Sequence, residues 1–340
     1  MINLDKKDKK ILFYLLQNSR QSYKSLGKKV GASKEFISYR LKRMTDKKII
    51  TNFTIVSGIE KLGYGLIQTH YKFVNVSPKK KEEIIRFLVE NKHSMYVSLI
   101  EGSYDLQVEF FIGNSREFEQ FMDEIREKYC NYLIFQLSKI PIRAEFYTYS
   151  FLVDGIDKEM FVDWRWGQKL YYIDDLDHKI LLELANNSRT PIVELANNLN
   201  TTVTTINNRM KKLEQNTIMK YSINIDWSKL GYRWFHLQIS LNDYKRKKHI
   251  IEYMRKNPYL IRRFKFLDLA MDLHFTLLLK DMHDLRSIIE GISSTFPDVI
   301  KDYHFYSTYK VYKYKMVVPE ILNHKSTLNR STIKKNNNES

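Results

Sequence analysis

The sequence has a single cysteine, Cys130, among 340 residues. One cysteine excludes an intramolecular disulfide and any zinc site built from several cysteines, and it fits a reducing cytosol. No apolar run approaches the roughly 20 residues that a membrane-spanning helix needs. The first residues also lack the apolar stretch of a secretory signal. We therefore expect a cytoplasmic protein without a membrane partner.

Motifs of enzyme chemistry are also missing from the sequence. Gly63 and Gly65 lack the third glycine of a phosphate-binding loop, and no nucleophile-elbow motif is present. Several histidines are scattered without the spacing of metal ligands, namely His70, His93, His236, His274 and His283. We expect no cofactor and no metal, and we predict that the chain is not an enzyme.

Acidic residues are outnumbered in this chain. The 56 Lys and Arg residues exceed the 39 Asp and Glu residues, and the formal net charge is +17. An excess of this size favours a polyanionic partner such as DNA. The length of 340 residues predicts two or more domains with ample hydrophobic core.

The chain contains two related copies of one unit. Three segments recur in the same order, 4–12 as 173–181, 18–20 as 187–189, and 61–64 as 229–232. Two copies at a long period indicate a domain duplication rather than a solenoid. The duplication predicts an internal pseudo-dimer within one chain.

Each copy opens with three helical patterns and one strand. In the first copy Asp5 can cap a first helix, and residues 22–30 form a second. Residues 33–44 form a third helix that starts at Ser33, and the β-branched residues 49–56 predict a strand or wing. Three helices and a strand are typical of a winged helix-turn-helix.

The third helix has two different faces. Ile37, Leu41 and Met44 are spaced for one apolar stripe, which leaves a short, polar and cationic side of the kind that enters a DNA major groove. The predicted DNA contacts are Ser33, Lys34, Ser38, Tyr39, Arg40, Lys42 and Arg43 in the first copy, and Asn207, Asn208, Lys211 and Lys212 in the second.

The rest of each copy alternates strands and helices in the ferredoxin-like order βαββαβ. In the strand predicted over 104–112, apolar residues alternate with Asp105, Gln107 and Glu109, so one face packs on helices and the polar face is available to a partner sheet or a ligand. The last strand of the first copy is predicted as one run over 132–151. The fold class is therefore α+β, with two tandem copies of a winged helix-turn-helix followed by a ferredoxin-like domain.

These patterns set the expected domain boundaries. The DNA-binding heads are 1–62 and 173–230, the ferredoxin-like domains are 63–150 and 231–318, the linker is 151–172, and the disordered basic tail is 319–340. Trp164 and Trp166 make the linker too aromatic for a free tether, so we expect it to be partly packed.

Residues of both parts resemble a known family. Leu4-Asp5, Ile11-Leu12, Arg20 and Arg40 make the head similar to the DNA-binding domain of Lrp/AsnC transcriptional regulators, and Glu101-Gly-Ser-Tyr-Asp105 is similar to that family's effector domain. The resemblance implies a sequence-specific regulator that binds double-stranded DNA, pairs its α/β domains sheet to sheet and can oligomerise further. It also implies a small effector, such as an amino acid, at Gly102, Tyr104 and Asp105.

The second copy departs from the first at both expected sites. Its turn over 268–272 lacks the glycine, which puts an effector site there in doubt. Residues 1–62 hold 15 basic and 5 acidic residues, a net of +10, whereas residues 173–230 hold 7 of each. Because phosphate contacts supply much of the affinity for DNA, we expect the first head to dominate binding. The second head then binds weakly, or is a structural relic.

Other interpretations stay open. An enzyme similar to the sirohaem decarboxylases, which resemble this family, is one alternative, although a decarboxylase does not need a basic DNA-binding head. A weakly specific architectural DNA-binding protein is another. The basic residues 245–248 and Arg262-Arg263 either contact flanking DNA or form a solvated surface.

Overall fold

The computed structural model describes residues 2–317 of the chain, apart from residues 114, 166, 168, 268 and 269. The tail predicted over 319–340 and Trp166 of the linker lie outside the described residues. Within the described part, no helix combines the length and the apolar character that crossing a bilayer requires.

The first copy begins with a helical head and continues into an α/β domain. The head comprises α1 (Lys6–Gln17), α2 (Tyr23–Val30), α3 (Lys34–Asp46) and β1 (Ile50–Ser57). The α/β domain comprises β2 (Gly65–Phe73), α4 (Pro78–Glu90), β3 (Ser94–Gly102), β4 (Leu106–Ile112), α5 (Ser115–Tyr129) and β5 (Leu133–Lys139). Two further strands, β6 (Pro141–Tyr147) and β7 (Met160–Arg165), lead towards the second copy.

The second copy repeats this order. Its head comprises α6 (Asp175–Asn186), α7 (Ile192–Asn198), α8 (Val203–Asn216) and β8 (Ile218–Ile225). Its α/β domain comprises β9 (Arg233–Leu241), α9 (Lys247–Arg255), β10 (Leu260–Phe266), β11 (Leu273–Leu279), α10 (Met282–Thr295) and β12 (Ile300–Tyr314). The α+β class and the tandem arrangement predicted from the sequence are confirmed.

Side-chain caps fix where the head helices begin. The side chains of Asp5, Ser22 and Ser33 each accept a backbone N–H three residues further along, at the start of α1, α2 and α3. The apolar stripes of these helices then meet in one core, in which Ile11 and Ile37 are fully buried. Capping and amphipathic periodicity together determine the head.

The last strands of the two α/β domains change partners along their length. Residues 133–139 pair with β2 of their own copy, whereas β6 pairs with β10 of the other copy. The single strand predicted over 132–151 is therefore wrong. Strand β5 ends before Ile140, and β6 begins at Pro141, which has no backbone N–H to donate. In the second copy, β12 pairs first with β9 and then with β3.

This exchange joins ten strands in the order β5-β2-β4-β3-β12-β9-β11-β10-β6-β7. The polar faces of the two halves contact each other: the Lys139 amine donates to Gln238 Oε1 at 2.9 Å. The polar face that the sequence predicted on β4 carries Glu109, which interacts electrostatically with Arg262 on β10 of the other copy. The linker supplies β7, whose Trp164 packs on Ala144.

The predicted wings do not stand free. Strand β1 pairs antiparallel with β8 along its length, and the pair forms a separate two-stranded sheet between the heads. A single strand would leave its backbone N–H and C=O groups unpaired. Here the strand of each copy forms backbone hydrogen bonds with the strand of the other. The strands are thus a joint between the heads rather than projections from them.

Candidate DNA interface and internal cavity

Helix α3 buries its apolar stripe and leaves its cationic side in solvent. Ile37, Leu41 and Met44 are at most 3% exposed. On the other side, the predicted contacts Ser33, Lys34, Ser38, Tyr39 and Lys42 are exposed and Arg43 is half-buried. Tyr39, 64% exposed, adds an aromatic hydroxyl to this side of the helix. This surface has the composition of a helix that lies in a DNA groove.

Arg40 takes a different role from the predicted one. Its Nη1 lies 2.9 Å from a carboxylate oxygen of Asp5 and 3.0 Å from one of Asp8, so it ties α3 to the start of α1. Arg209 forms the same contacts with Asp174 and Asp177 in the second head. This Arg–Asp contact occurs in both heads although their net charges differ, so we infer that it stabilises the fold of the head. Because these ion pairs hold Nη1 of Arg40, the exposed cations of α3 are better placed to contact DNA.

Replacing Arg40 with Gln is expected to destabilise the chain by about 2 kcal/mol, because Asp8 is 3% exposed and loses its charged partner. Thermal unfolding measures this, with Lys42→Gln as the control on an exposed residue of the same helix. Arg209→Gln is the equivalent change in the second head. Equal unfolding temperatures for Arg40→Gln and Lys42→Gln would contradict the structural role.

Helix α8 has the same architecture with a different surface. Its buried residues Ile206, Met210 and Leu213 repeat the stripe of α3. The predicted contacts Asn208, Lys211 and Lys212 are exposed, and Asn207 is half-buried. Val203, 40% exposed, stands where α3 has Lys34. The second head therefore offers a scaffold of the same shape without the Lys34 ammonium and, over residues 173–230, without a net charge.

The Asn-Ser-Arg segments that recur in the sequence bind the two heads together. The hydroxyl groups of Ser19 and Ser188 lie 2.6 Å apart in the buried contact. Arg20 donates to the backbone oxygen of Ser188, and Arg189 donates to that of Ser19, each at 2.5 Å. These reciprocal bonds, with the β1–β8 sheet, hold α3 and α8 in a fixed, pseudo-twofold arrangement.

The predicted effector turn is occupied by contacts within the chain. Gly102 has a φ of 126°, and a Cβ there would lie 3.0 Å from the backbone oxygen of Phe305 on β12. The Tyr104 ring lies 4.6 Å from that of His70. Asp105 Oδ2 accepts the N–H of Phe73 at 2.9 Å, and Asp272 accepts that of Leu241 in the same way. The turn thus allows strands of the two copies to approach closely. Residues 268 and 269 of the second turn are outside the described residues.

A cavity of about 1230 Å³ lies between the β1–β8 sheet and the α/β half of the molecule. Its walls come from both copies, and Arg262 and Glu109 line it. The role of Arg262 is not evident from the sequence, because Arg262-Arg263 has the pattern of a single basic pair. Strand alternation separates them, since Arg263 faces the opposite side and binds Glu145. Neither arginine is therefore available to flanking DNA, whereas Lys245 remains exposed.

Comparisons with known proteins agree with this architecture. Residues 4–51 match a winged helix-turn-helix DNA-binding domain, and residues 173–214 match the AsnC-type helix-turn-helix domain. An uncharacterised HTH-type transcriptional regulator of Pyrococcus furiosus is 30% identical over 149 residues, which are 42% of this chain and 99% of that protein. The HTH-type transcriptional regulator FL11 of the same organism is 30% identical over 122 residues, which are 36% of this chain and 80% of that protein.

A solved structure resembles the whole chain. The sirohaem decarboxylase NirDL matches with a TM-score of 0.60 and covers 94% of this chain and 97% of its own at 11% identity. At this identity the likeness concerns the fold alone. The likeness to NirDL covers both copies of the unit, whereas the sequence match to the Pyrococcus furiosus regulator covers 42% of this chain.

Fold and surface together define a duplicated helix-turn-helix protein with an exposed cationic helix in its first head. The chain belongs to the Lrp/AsnC family of HTH-type transcriptional regulators. Because one relative spans only 42% of it, the chain corresponds to two family units joined end to end.

Proposed function

We propose that this chain regulates transcription by binding double-stranded DNA in a sequence-specific manner, with α3 as the main reading element. The observation that carries the proposal is the exposed set of Lys34, Ser38, Tyr39 and Lys42 on a helix whose opposite side is buried. Hydroxyl and amine groups on such a face can reach base edges and phosphates. One chain supplies both heads, so no second chain is needed to present two helices.

Genome-wide mapping of bound DNA in the source cells tests this function. A regulator is expected to occupy a small set of sites that share one sequence, and the purified chain should prefer that sequence over unrelated DNA by about 1000-fold or more. Evenly distributed occupancy with little preference would favour the architectural alternative. Complete failure to retain DNA would reject both.

The fixed pair of heads predicts an asymmetric operator. Because residues 1–62 carry a net charge of +10 and residues 173–230 carry none, one half-site should be strongly conserved among bound sites and the other tolerant. Inserting about 5 base pairs between the half-sites rotates them by half a helical turn. We expect this insertion to weaken binding only modestly, since the first head supplies most of the affinity. A large loss in a quantitative gel shift would show that the two heads contribute equally.

A decarboxylase is the second candidate, and the cavity together with the full-length fold likeness favours it. An enzyme of that kind should bind a tetrapyrrole. We propose instead that the chain is not an enzyme, because a net charge of +10 over residues 1–62 is what a DNA-binding head requires. Purified protein incubated with sirohaem is expected to leave its carboxylate groups intact, as mass spectrometry of the recovered compound would show. Loss of carboxylate groups would support the enzyme.

A further inference from the structure

The cavity holds a positive charge that no carboxylate of the described residues contacts. Arg262 enters it from β10. Its guanidinium lies over three aromatic rings, 5.0 Å from the centroid of Trp234, 5.3 Å from that of Phe146 and 5.5 Å from that of Tyr314. Within the described part of the chain, no carboxylate oxygen comes within 4.0 Å of its nitrogens.

The hydrogen bonding of Arg262 is incomplete as well. Its Nη2 donates to the Tyr314 hydroxyl at 3.0 Å. Its Nε has no hydrogen-bond partner among the described residues although it is buried. A guanidinium presents five N–H donors in one plane. The hydrogen bonds with Tyr314 and Tyr149 use part of this donor edge, and Nε is left to receive an anion. The neighbouring Arg263 differs, since Glu145 binds it on the other face of the sheet.

Glu109, one of three acidic residues that line the cavity, already has neutral hydrogen-bond partners. Glu109 Oε1 accepts hydrogen bonds from the side-chain amides of Gln68 and Gln107, each at 2.8 Å. Burial raises the pKa of this carboxyl, and the Gln68 bond and the charge of Arg262 offset only part of that rise. A negative charge on Glu109 is thus disfavoured compared with an exposed glutamate. Glu109 thus has two neutral amide partners and no ion pair with Arg262 within 4.0 Å.

We propose that this cavity binds an organic carboxylate with a flat apolar body, with the carboxylate on Arg262 and the body against the surrounding aromatic rings. Guanidinium and carboxylate groups match in geometry and form strong paired hydrogen bonds. Aromatic walls with a few charged groups are typical of small-molecule sites. In this cavity of about 1230 Å³ the basic residues of the wall outnumber the acidic ones, with Lys92, Arg233, Arg262, Lys310, Lys313 and Lys315 against Glu90, Glu109 and Asp226.

The position of the cavity makes such a ligand a regulator of the heads. Thr54 of β1 and Asn224 of β8 form part of its wall, so an occupant contacts the sheet that joins the two heads. This coupling rests on the proposed DNA-binding function, whereas ligand binding itself does not. The site is separate from the turn at Gly102, which packs against β12.

Calorimetric titration of the full chain with 1-naphthaleneacetate and its neutral amide tests the site. The two probes share one flat body and differ in charge. We expect the acid to bind at least about tenfold more tightly than the amide, as a charge-assisted pair requires. This comparison uses the native chain and remains decisive if a variant fails to fold. Equal binding of acid and amide, or no binding of either, would overturn the proposal.

Two variants locate the binding. Arg262→Gln should abolish the preference for the acid. The control Arg286→Gln removes a charge from an exposed position of α10 and should keep it. Equal loss in both variants would place binding elsewhere and reject the site. A gel shift with and without 1-naphthaleneacetate then tests the coupling separately, because calorimetry without DNA succeeds or fails independently of the DNA-binding function.

Discussion

Combined replacement of Lys34, Lys42 and Arg43 with Ala abolishes specific DNA binding, with an expected loss of at least about 100-fold in affinity at physiological salt. Two of these side chains are exposed on α3 and the third is half-buried beside them. They are the cationic part of the surface that remains once Arg40 is assigned to its ion pairs with Asp5 and Asp8. Quantitative gel shift or fluorescence anisotropy measures the loss.

The matched change in the second head is Lys211→Ala with Lys212→Ala. Both side chains are exposed on α8, but residues 173–230 carry no net charge. We expect this pair to weaken binding by about tenfold or less. The slope of binding against salt concentration should fall by about 0.9 for each phosphate contact removed. Most of that fall should occur with the first-head variant.

Charge alone must be separated from position on the helix. The control Lys79→Ala, Arg86→Ala and Arg116→Ala removes three positive charges from exposed residues of α4 and α5. It should change affinity by less than about threefold, because charges beyond a Debye length of the DNA are screened. The asymmetry between the heads would be rejected if the second-head variant lost as much affinity as the first-head variant.

Much of the fold can be predicted from the sequence, because helix capping and hydrophobic periodicity determine where its elements begin and end. Periodicity and capping predict α3 to within two residues of its observed end, and the duplication supplies a second example of every head element. Comparison of the copies separates residues that the fold requires from residues that differ in function. Ile37 and Ile206 belong to the first class, and Lys34 and Val203 belong to the second.

The missed features depend on contacts between the copies. Whether Pro141 continues a strand or begins another depends on β10, which lies more than a hundred residues away in the chain. Ser19 and Arg20 have the appearance of a helix end, and only the fold shows that they bind their counterparts at 188 and 189. Arg262 belongs to the cavity for the same reason. Local sequence patterns do not specify whether the residues that contact a given side chain or strand come from the same copy or from the other copy.

Covalent fusion explains why the heads can differ. In a dimer of identical chains, each substitution appears in both heads, so an asymmetric surface is not accessible. Within one chain, the structural contacts of Arg40 and Arg209 are kept while the exposed residues of α3 and α8 diverge. The strand exchange through β6 and β12 keeps the copies together while they do so.

The contact between the two copies includes one buried carboxylate, that of Glu145. The substitution Glu145→Gln is expected to destabilise the chain by about 3 kcal/mol or more. Glu145 on β6 is fully buried and accepts hydrogen bonds from Arg263 on β10, one of them at 2.8 Å. Arg255 also donates to it at 3.1 Å, and Tyr147 bonds it from the same strand. Removing its charge leaves Arg263, which is 7% exposed, without a counter-ion.

The pH dependence gives this prediction a second measurement. Burial alone would raise the pKa of Glu145, but hydrogen bonds from Arg263 and Tyr147 outweigh it and hold the pKa at about 2, below the ordinary 4.5. A carboxyl with a depressed pKa stabilises the fold fully above its unfolded pKa, and this contribution is lost as the pH falls from about 4.5 towards 2. The difference in unfolding temperature between native chain and variant should therefore be largest near neutral pH and shrink in acid. Glu82→Gln, at an exposed position of α4, should unfold like the native chain at every pH. A Glu145→Gln variant as stable as the Glu82→Gln control would show that the ion pairs of Glu145 do not stabilise the contact between the two copies.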